Sequence, residues 1–544
     1  MTILVLLAGL LLAACNLPSS PAPAPNPDAA AITLTPFHPD LSAEEAAPSQ
    51  PAWWLDPALP ASFAEQVSLP EGAAWAEDAA EADVLVGVNL GEPLSQWIYA
   101  LAAPFPTLTD AVSLAELQAA WGGRAGEPFA GVPLLLSEET LAVLSALWGQ
   151  PAAGATEVHP ADELLEAAWA RQPAWALIPF EEIAPRWKVL AVDGQSPIWK
   201  DFDPAAYPLT VPIGIQGEAA LLAGAQAPAS NREADKLTTV IITGVTALVR
   251  ATAYTMDRNG VTYPGEDVGP LLREADITHI SNEVPFAADC PLPDPVQRGL
   301  VFCSNPAYME LLTDIGTDVI ELTGDHFNDW GAEAMLYTLD MYREIGLPYY
   351  GGGVNSAEAR QALTLEHNGN HIAFIGCNGK GGGYATARED HPGTVECDYA
   401  LMEQQVQELV QAGYVVIATF QHNENYVFRP PETLVRDFTR ISAAGAHIIS
   451  GSQAHQAHGM EFTGDGAIIA YGLGNMFFDQ RGVVEYGDQA LITRNIVYDN
   501  RYINTEVFTI QFVDFAKPRL MTPEERAVFL DIIFNASRWN YPSR

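Results

Sequence analysis

The residues able to do chemistry gather in short fragments of the C-terminal half. They are Ser281-Asn282-Glu283, Gly324-Asp325-His326, Phe420-Gln421-His422 and Gly451-Ser452-Gln453-Ala454-His455, with Asn475 ending Gly472-Leu473-Gly474-Asn475. Carboxylate oxygens and imidazole nitrogens are the side-chain atoms that hold hard and borderline cations. An imidazole, with a pKa near about 6.5, also exchanges protons close to neutrality. Other chemistries lack their motifs: the sequence has no Gly-x-Ser-x-Gly, no Walker loop, no His-Glu-x-x-His and no Cys-x-x-Cys. Gly379-Lys380-Gly381-Gly382-Gly383-Tyr384 follows the apolar run 372–375 and reads as a surface loop or as a loop over the site.

Such fragments need strands and helices to hold them. Residues 239–244, Thr-Val-Ile-Ile-Thr-Gly, form a β-branched apolar run closed by glycine and predict a first core strand. Residues 414–420 and 447–450 have the same character. Helices are predicted between them at 332–345, 399–412 and 431–444, with Gly413 and Gly445 placed to end the last two. Strands alternating with helices make an α/β layer structure, and sites collect on the loops after the strands. Upstream, residues 83–88 read as a buried strand. Leu114–Trp121 and Glu138–Trp148 read as helices, because apolar residues recur every three or four positions. The expected division is an α/β domain at 51–216, a linker at 217–235, a second domain at 236–520 and an extension at 521–544.

Taken in order, with residues 322–331 and Gly351-Gly352-Gly353-Val354-Asn355, the C-terminal fragments resemble the CapA-type poly-gamma-glutamate capsule biosynthesis family, a branch of the calcineurin-like metallophosphoesterases. The resemblance covers roughly residues 238–480 and implies a four-layer α-β-β-α sandwich. It also implies ligands on successive strand ends around two cations about 3.5–4 Å apart. By that alignment Glu283, Asp325 and His455 are the surviving metal ligands. His326 is the proton carrier, and Gln421 and Asn475 line the cleft. Several positions depart from the family. Val245 stands where an aspartate is expected, Gln421 replaces a histidine, and Ser452 and Gln453 replace two more. His422 lies one residue from Gln421, and adjacent strand residues face opposite sides. These departures count against the intact two-metal site; that site, one divalent metal ion on oxygen-rich ligands, and no metal stay open.

The N-terminal stretches 97–107 and 176–180 resemble the periplasmic phosphate-type solute-binding fold. No Ser/Thr-Gly-rich helix start is present to cradle an anion, so ligand capture and a docking role stay open. Seven tryptophans (Trp53, Trp54, Trp97, Trp121, Trp148, Trp175 and Trp187) fall in this half and read as core or as a stacking surface. The apolar run 3–14 is too short to span a bilayer, and Leu12-Ala13-Ala14-Cys15 resembles a bacterial lipobox. Cys15 is then the lipidated residue, segment 1–15 a signal and segment 16–50 a tether. Export permits disulfides, and short loops favour Cys290–Cys303 and Cys377–Cys397.

The chain has 544 residues, 48% of them hydrophobic and 17% charged, with a net charge of −42. That charge excludes nucleic acid as a partner. The resemblance implies a lipid-anchored extracytoplasmic protein that works with a cell-surface polymer or capsule machinery. The residues leave two functions open: a metal-dependent hydrolase of the calcineurin-like class, and a non-catalytic ligand-binding or scaffold lipoprotein with a degenerate site.

Overall fold

The strand Leu237–Thr246 is buried along all ten residues, which is why its sequence is a continuous β-branched run rather than an alternation. It pairs in parallel with Ile277–Asn282, which pairs with Val319–Glu321, which pairs with Tyr349–Tyr350. On its other side run the antiparallel strands Gln489–Tyr498, Arg501–Phe512 and Pro518–Leu520. Asn475–Phe477 pairs with its C-terminal end and completes an eight-stranded sheet. A second, six-stranded sheet is ordered Leu363–His367, Asn370–Asn378, Val415–Gln421, Ile448–Ser450, Ile468–Ala470, Met460–Phe462. The protein is described here by a computed structural model covering residues 50–539, apart from 219–220, 222–224, 381–382, 384, 465 and 483. Cys15, the signal 1–15 and the tether up to residue 49 lie outside the described residues, as do Gly381, Gly382 and Tyr384.

Side-chain alternation sets the layers. Val240, Ile242, Ile277 and Val319 pack against Phe374, Ile417 and Ile448 of the second sheet. Their neighbours Ile241, Ile280 and Ile320 face outward onto Met256, Leu272, Leu312 and Leu339 of helices Arg250–Asn259, Gly269–Glu274, Met309–Asp314 and Gly331–Ile345. Beyond the second sheet, Ala373, Ile375, Val416 and Ala418 meet Met402 and Val406 of Tyr399–Gln411 and Phe438 of Glu432–Ala443. The order is helix, sheet, sheet, helix. Gly413 (φ +87°) and Gly445 (φ +112°) follow these last two helices in conformations that favour glycine. Helix Pro523–Ala536 closes the inter-sheet core, inserting Phe529, Leu530 and Ile533.

The N-terminal half is a ten-stranded mixed sheet organised on the thirteen-residue strand Glu92–Pro104. That strand pairs with Thr210–Gln216 at its start, Trp175–Pro179 in its middle and Trp187–Val192 at its end. Helix Leu114–Trp121 begins with a capping box of Ser113 and Glu116, and Glu138–Trp148 begins on Ser137. Trp53, Trp97, Trp121, Trp175 and Trp187 are buried in this core, so they pack rather than offer a stacking surface. The loop facing helix Glu138–Trp148 carries Glu181 and Glu182 beside Glu139. Burial and mutual repulsion push the Glu182 carboxyl up to about 7. Three carboxylates at a helix start disfavour an anion there.

The described residues from 50 to 539 form one compact unit. Near the end of the segment expected as a linker, Asn231 bonds the Ile98 backbone, and buried Arg232 donates to the carbonyls of Pro197 and Trp199. Arg526 pairs with both oxygens of Asp110 across the two halves, and Asn504 donates to the Trp187 carbonyl. Among the described residues, no helix is long and apolar enough to cross a membrane.

Two disulfides join Cys290 to Cys303 and Cys377 to Cys397. The pairs suit an extracytoplasmic protein. Removing the first bridge by a Cys290→Ser/Cys303→Ser double substitution is expected to cost about 3 kcal/mol in the chain-entropy picture. Denaturant unfolding checks the loss, and free thiols in non-reducing peptide maps would disprove the pairing.

Candidate metal centre

The cleft opens where the parallel strands end. Strand Ile277–Asn282 runs directly into Glu283, whose N–H donates to the Thr246 carbonyl at 2.9 Å. The turn after Val319–Glu321 brings Gly324-Asp325-His326 against it. A Cβ on Gly324 would lie 2.7 Å from Glu283 Cα and 2.8 Å from its carbonyl oxygen, so only glycine allows this approach. One ligand atom from each of Glu283, Asp325 and His326 then lies within 4.8 Å of the others. His455, from the loop after Ile448–Ser450, places Nε2 3.9 Å from Glu283 Oε1. The four residues therefore meet in one place.

Their hydrogen bonds define protonation. Asn475 donates its amide N–H₂ to the carbonyls of His455 and Gly487, which leaves Oδ1 as the acceptor facing His455 Nδ1 at 2.9 Å. This network assigns the proton to Nδ1 and turns the Nε2 lone pair toward Glu283. Glu283 is 1% exposed, and its Oε1 has no hydrogen-bond donor; neither has Asp325 Oδ1. Burial pushes the Glu283 carboxyl up, against the pull of His455 and His326. His326 Nδ1 lies 2.7 Å from Asp329 Oδ2, which also accepts the Phe302 N–H at 2.8 Å. Burial opposes charge on His326, but Asp329, Glu283 and Asp325 outweigh it and push its pKa up to about 9.

The positions that depart from the family explain what else the cleft can hold. Val245 is 0% exposed and packs with Ala247, Val249, Val284, Phe302 and Phe478. Phe302 and Phe478 in turn pack at a tilt against His326 and His455, with ring centroids 4.9 and 5.2 Å apart. One wall of the site is thus apolar. Gln421 is fully buried, with no partner on either amide atom. It lies opposite Asn378 in the register, on the strand face opposite outward-packed Phe420. His422 faces the helix layer and bonds Asp437 at 3.1 Å. Ser452 and Gln453 turn into the inter-sheet core. There Ser452 donates to Glu321, and Gln453 donates to Ser281. Glu321 also accepts from Thr323 at 2.5 Å. Burial depresses nearby His279 to about 3, so it is neutral and bonds Tyr350 at 2.8 Å.

Sequence reasoning missed Asp329, Lys380 and Glu424. Asp329 carries a usable signal, a carboxylate three residues after a histidine. Lys380 Nζ lies 2.6 Å from Asp325 Oδ2 and 2.5 Å from Glu424 Oε1, while Tyr426 OH bonds Glu424 Oε2 at 2.6 Å. Despite burial, the neighbouring His455 imidazole, the bonds from Lys380 and Tyr426 and the Lys380 charge lower the Glu424 carboxyl to about 2.

A single cation fits the donor atoms of Glu283, Asp325 and His326, which lie within 4.8 Å of one another, with Glu283 Oε1 and Asp325 Oδ1 lacking hydrogen-bond donors and His455 Nε2 standing 3.9 Å from Glu283 Oε1. Val245 and its apolar neighbours offer no ligand from that wall.

The bacterial capsule synthesis protein family PGA_cap matches residues 239–480. The capsule biosynthesis protein CapA of Bacillus anthracis is 26% identical over 274 residues, which are 49% of this chain and 66% of that protein. The chain thus spans just under two thirds of that relative's length. Among solved structures, a 5'-nucleotidase precursor from Thermus thermophilus aligns with a TM-score of 0.33 at 13% identity, covering 54% of this chain and 57% of its own. An ABC-type phosphate transport receptor from Vibrio cholerae aligns with a TM-score of 0.22 at 14% identity, covering 26% and 68%. Over residues 239–480 the chain is thus similar to the PGA_cap family of bacterial capsule synthesis proteins, CapA among them.

Proposed function

We propose that this protein takes part in capsule or poly-gamma-glutamate biosynthesis or processing, as a single-cation hydrolase held at the membrane through Cys15. The observation that carries the reading is the pair of facing acceptors, Glu283 Oε1 and His455 Nε2, at 3.9 Å. Glu283, Asp325 and His455 are the ligands. A bound divalent cation would supply Lewis acidity and a water of lowered pKa. Asp329 holds the His326 ring by Nδ1 and thereby leaves Nε2 to pass a proton to the leaving group. The apolar wall of Val245, Phe302 and Phe478 excludes water from one side. A chain of net charge −42 repels a polyanion, so a cation in the cleft also supplies attraction where the polymer must bind.

Metal content and hydrolysis of phosphodiester and gamma-glutamyl substrates test this together. The parent is expected to bind one equivalent. His326→Ala should keep the metal and lose activity by about 10²–10⁴-fold, the usual weight of a general acid–base. Loss of metal in that variant would make His326 a ligand instead. Metal binding with no hydrolysis in the parent would support the non-catalytic binding or scaffold reading, which the departures at Val245, Gln421, Ser452 and Gln453 favour.

A further inference from the structure

We propose that Lys380 is a built-in second cation, whose ammonium holds the carboxylate pair Asp325–Glu424 and restricts the cleft to one metal ion. The inference rests on the single-cation reading above and goes past it, since it assigns a residue of this chain to the place a second ion would take.

The placement of Lys380 is built into the fold. Strands Asn370–Asn378 and Val415–Gln421 are parallel neighbours, with Asn378 opposite Gln421. The chain leaving the first delivers the ammonium, and the chain leaving the second delivers Glu424. Backbone bonds fix the base of this arrangement. Gly379 N–H donates to the Gln421 carbonyl at 2.6 Å, and Lys380 N–H donates to Asn378 Oδ1 at 2.9 Å. Asn378 Nδ2 reaches the Thr323 carbonyl at 3.0 Å, tying the same point to the turn that carries Asp325. The Cys377–Cys397 disulfide clamps the strand two residues before Gly379.

The carboxylate oxygens then divide in one way. Asp325 Oδ2 and Glu424 Oε1 take the ammonium, and Glu424 Oε2 takes Tyr426. Asp329 is occupied by His326 and the Phe302 N–H. Asp325 Oδ1 and Glu283 Oε1 are left without donors, and Glu283 Oε1 stands 3.9 Å from His455 Nε2. The remaining lone pairs suit one ion. Two carboxylates thus close around the one ammonium of Lys380. Only about a third of its side chain is exposed, so the pair is screened less than a surface ion pair.

Calorimetric titration of Mn²⁺ into the chelator-stripped full-length protein tests this, comparing the parent with Lys380→Met and Lys380→Arg. The parent should bind one equivalent. Lys380→Met should bind a second equivalent, or the first at least tenfold more tightly, because Asp325 and Glu424 are released. Lys380→Arg keeps the charge and should behave as the parent. Unchanged stoichiometry and affinity in Lys380→Met would overturn the inference and leave the single-cation reading standing. Two equivalents in the parent would overturn it as well. No binding in either protein would sink both readings. Binding only in Lys380→Met would sink the single-cation reading while keeping Lys380 as the cation of the cleft.

Discussion

Val245→Asp is expected to destabilise the protein by roughly 3–5 kcal/mol, the usual cost of an uncompensated buried charge, and to leave metal binding at one equivalent. The family places a ligand aspartate at this position, so a restored carboxylate is the obvious repair. The surroundings have changed with the residue. Val245 is fully buried among Ala247, Val249, Val284, Phe302 and Phe478, and none of these can donate a hydrogen bond through its side chain. The Val245 N–H is already used by the Gly474 carbonyl. Val245→Asn separates shape from charge and should cost less, because no charge is buried. Urea unfolding of the three proteins measures the difference. A Val245→Asp variant as stable as the parent, with a second bound ion, would show that the apolar wall can be reopened.

That wall also marks the limit of what the sequence could reveal. The layers follow from patterns carried by single elements. The buried run of Leu237–Thr246, the periodic helices Leu114–Trp121 and Glu138–Trp148, and the glycines after the helices ending at Gln411 and Ala443 are local signals. Strand alternation alone sends His422 to the helix side once Gln421 faces the other way. The loss of the aspartate was legible, but the apolar cluster around Val245 was not. It draws Val284, Phe302 and Phe478 from three distant loops. Lys380 and Glu424 looked like ordinary loop residues because their meaning lies in a convergence with Asp325, 55 and 99 positions away in sequence. The docking of the two halves was hidden for the same reason. Asp110 and Arg526 are separated by 416 residues, and neither belongs to a motif.

Glu283→Gln is expected to change stability in opposite directions with and without metal, and this contrast is the strongest test of the cation site. In the stripped protein, Glu283 is a buried carboxylate whose Oε1 has no donor. The neutral isostere removes that penalty and should stabilise by about 1–2 kcal/mol, a fraction of the cost of a buried unpaired charge. The amide is, however, a far poorer ligand than the carboxylate, and Lys380 and His326 remain where they are. The parent should gain about 2.7 kcal/mol at a metal concentration one hundred times its Kd, since only the folded state binds. Glu283→Gln should gain almost nothing. Thermal unfolding in Mn²⁺ and in chelator reads both effects on the same pair of proteins, and Gln421→Ala serves as a buried neighbour that the proposed ligand set omits. If Glu283→Gln kept the full metal-dependent shift, the ion would be bound elsewhere, and the facing acceptors Glu283 and His455 would be joined by a shared proton instead. If it lost the shift but was less stable in chelator than the parent, the carboxylate would be contributing to the fold through a donor, and the cleft would not be strained by its charge.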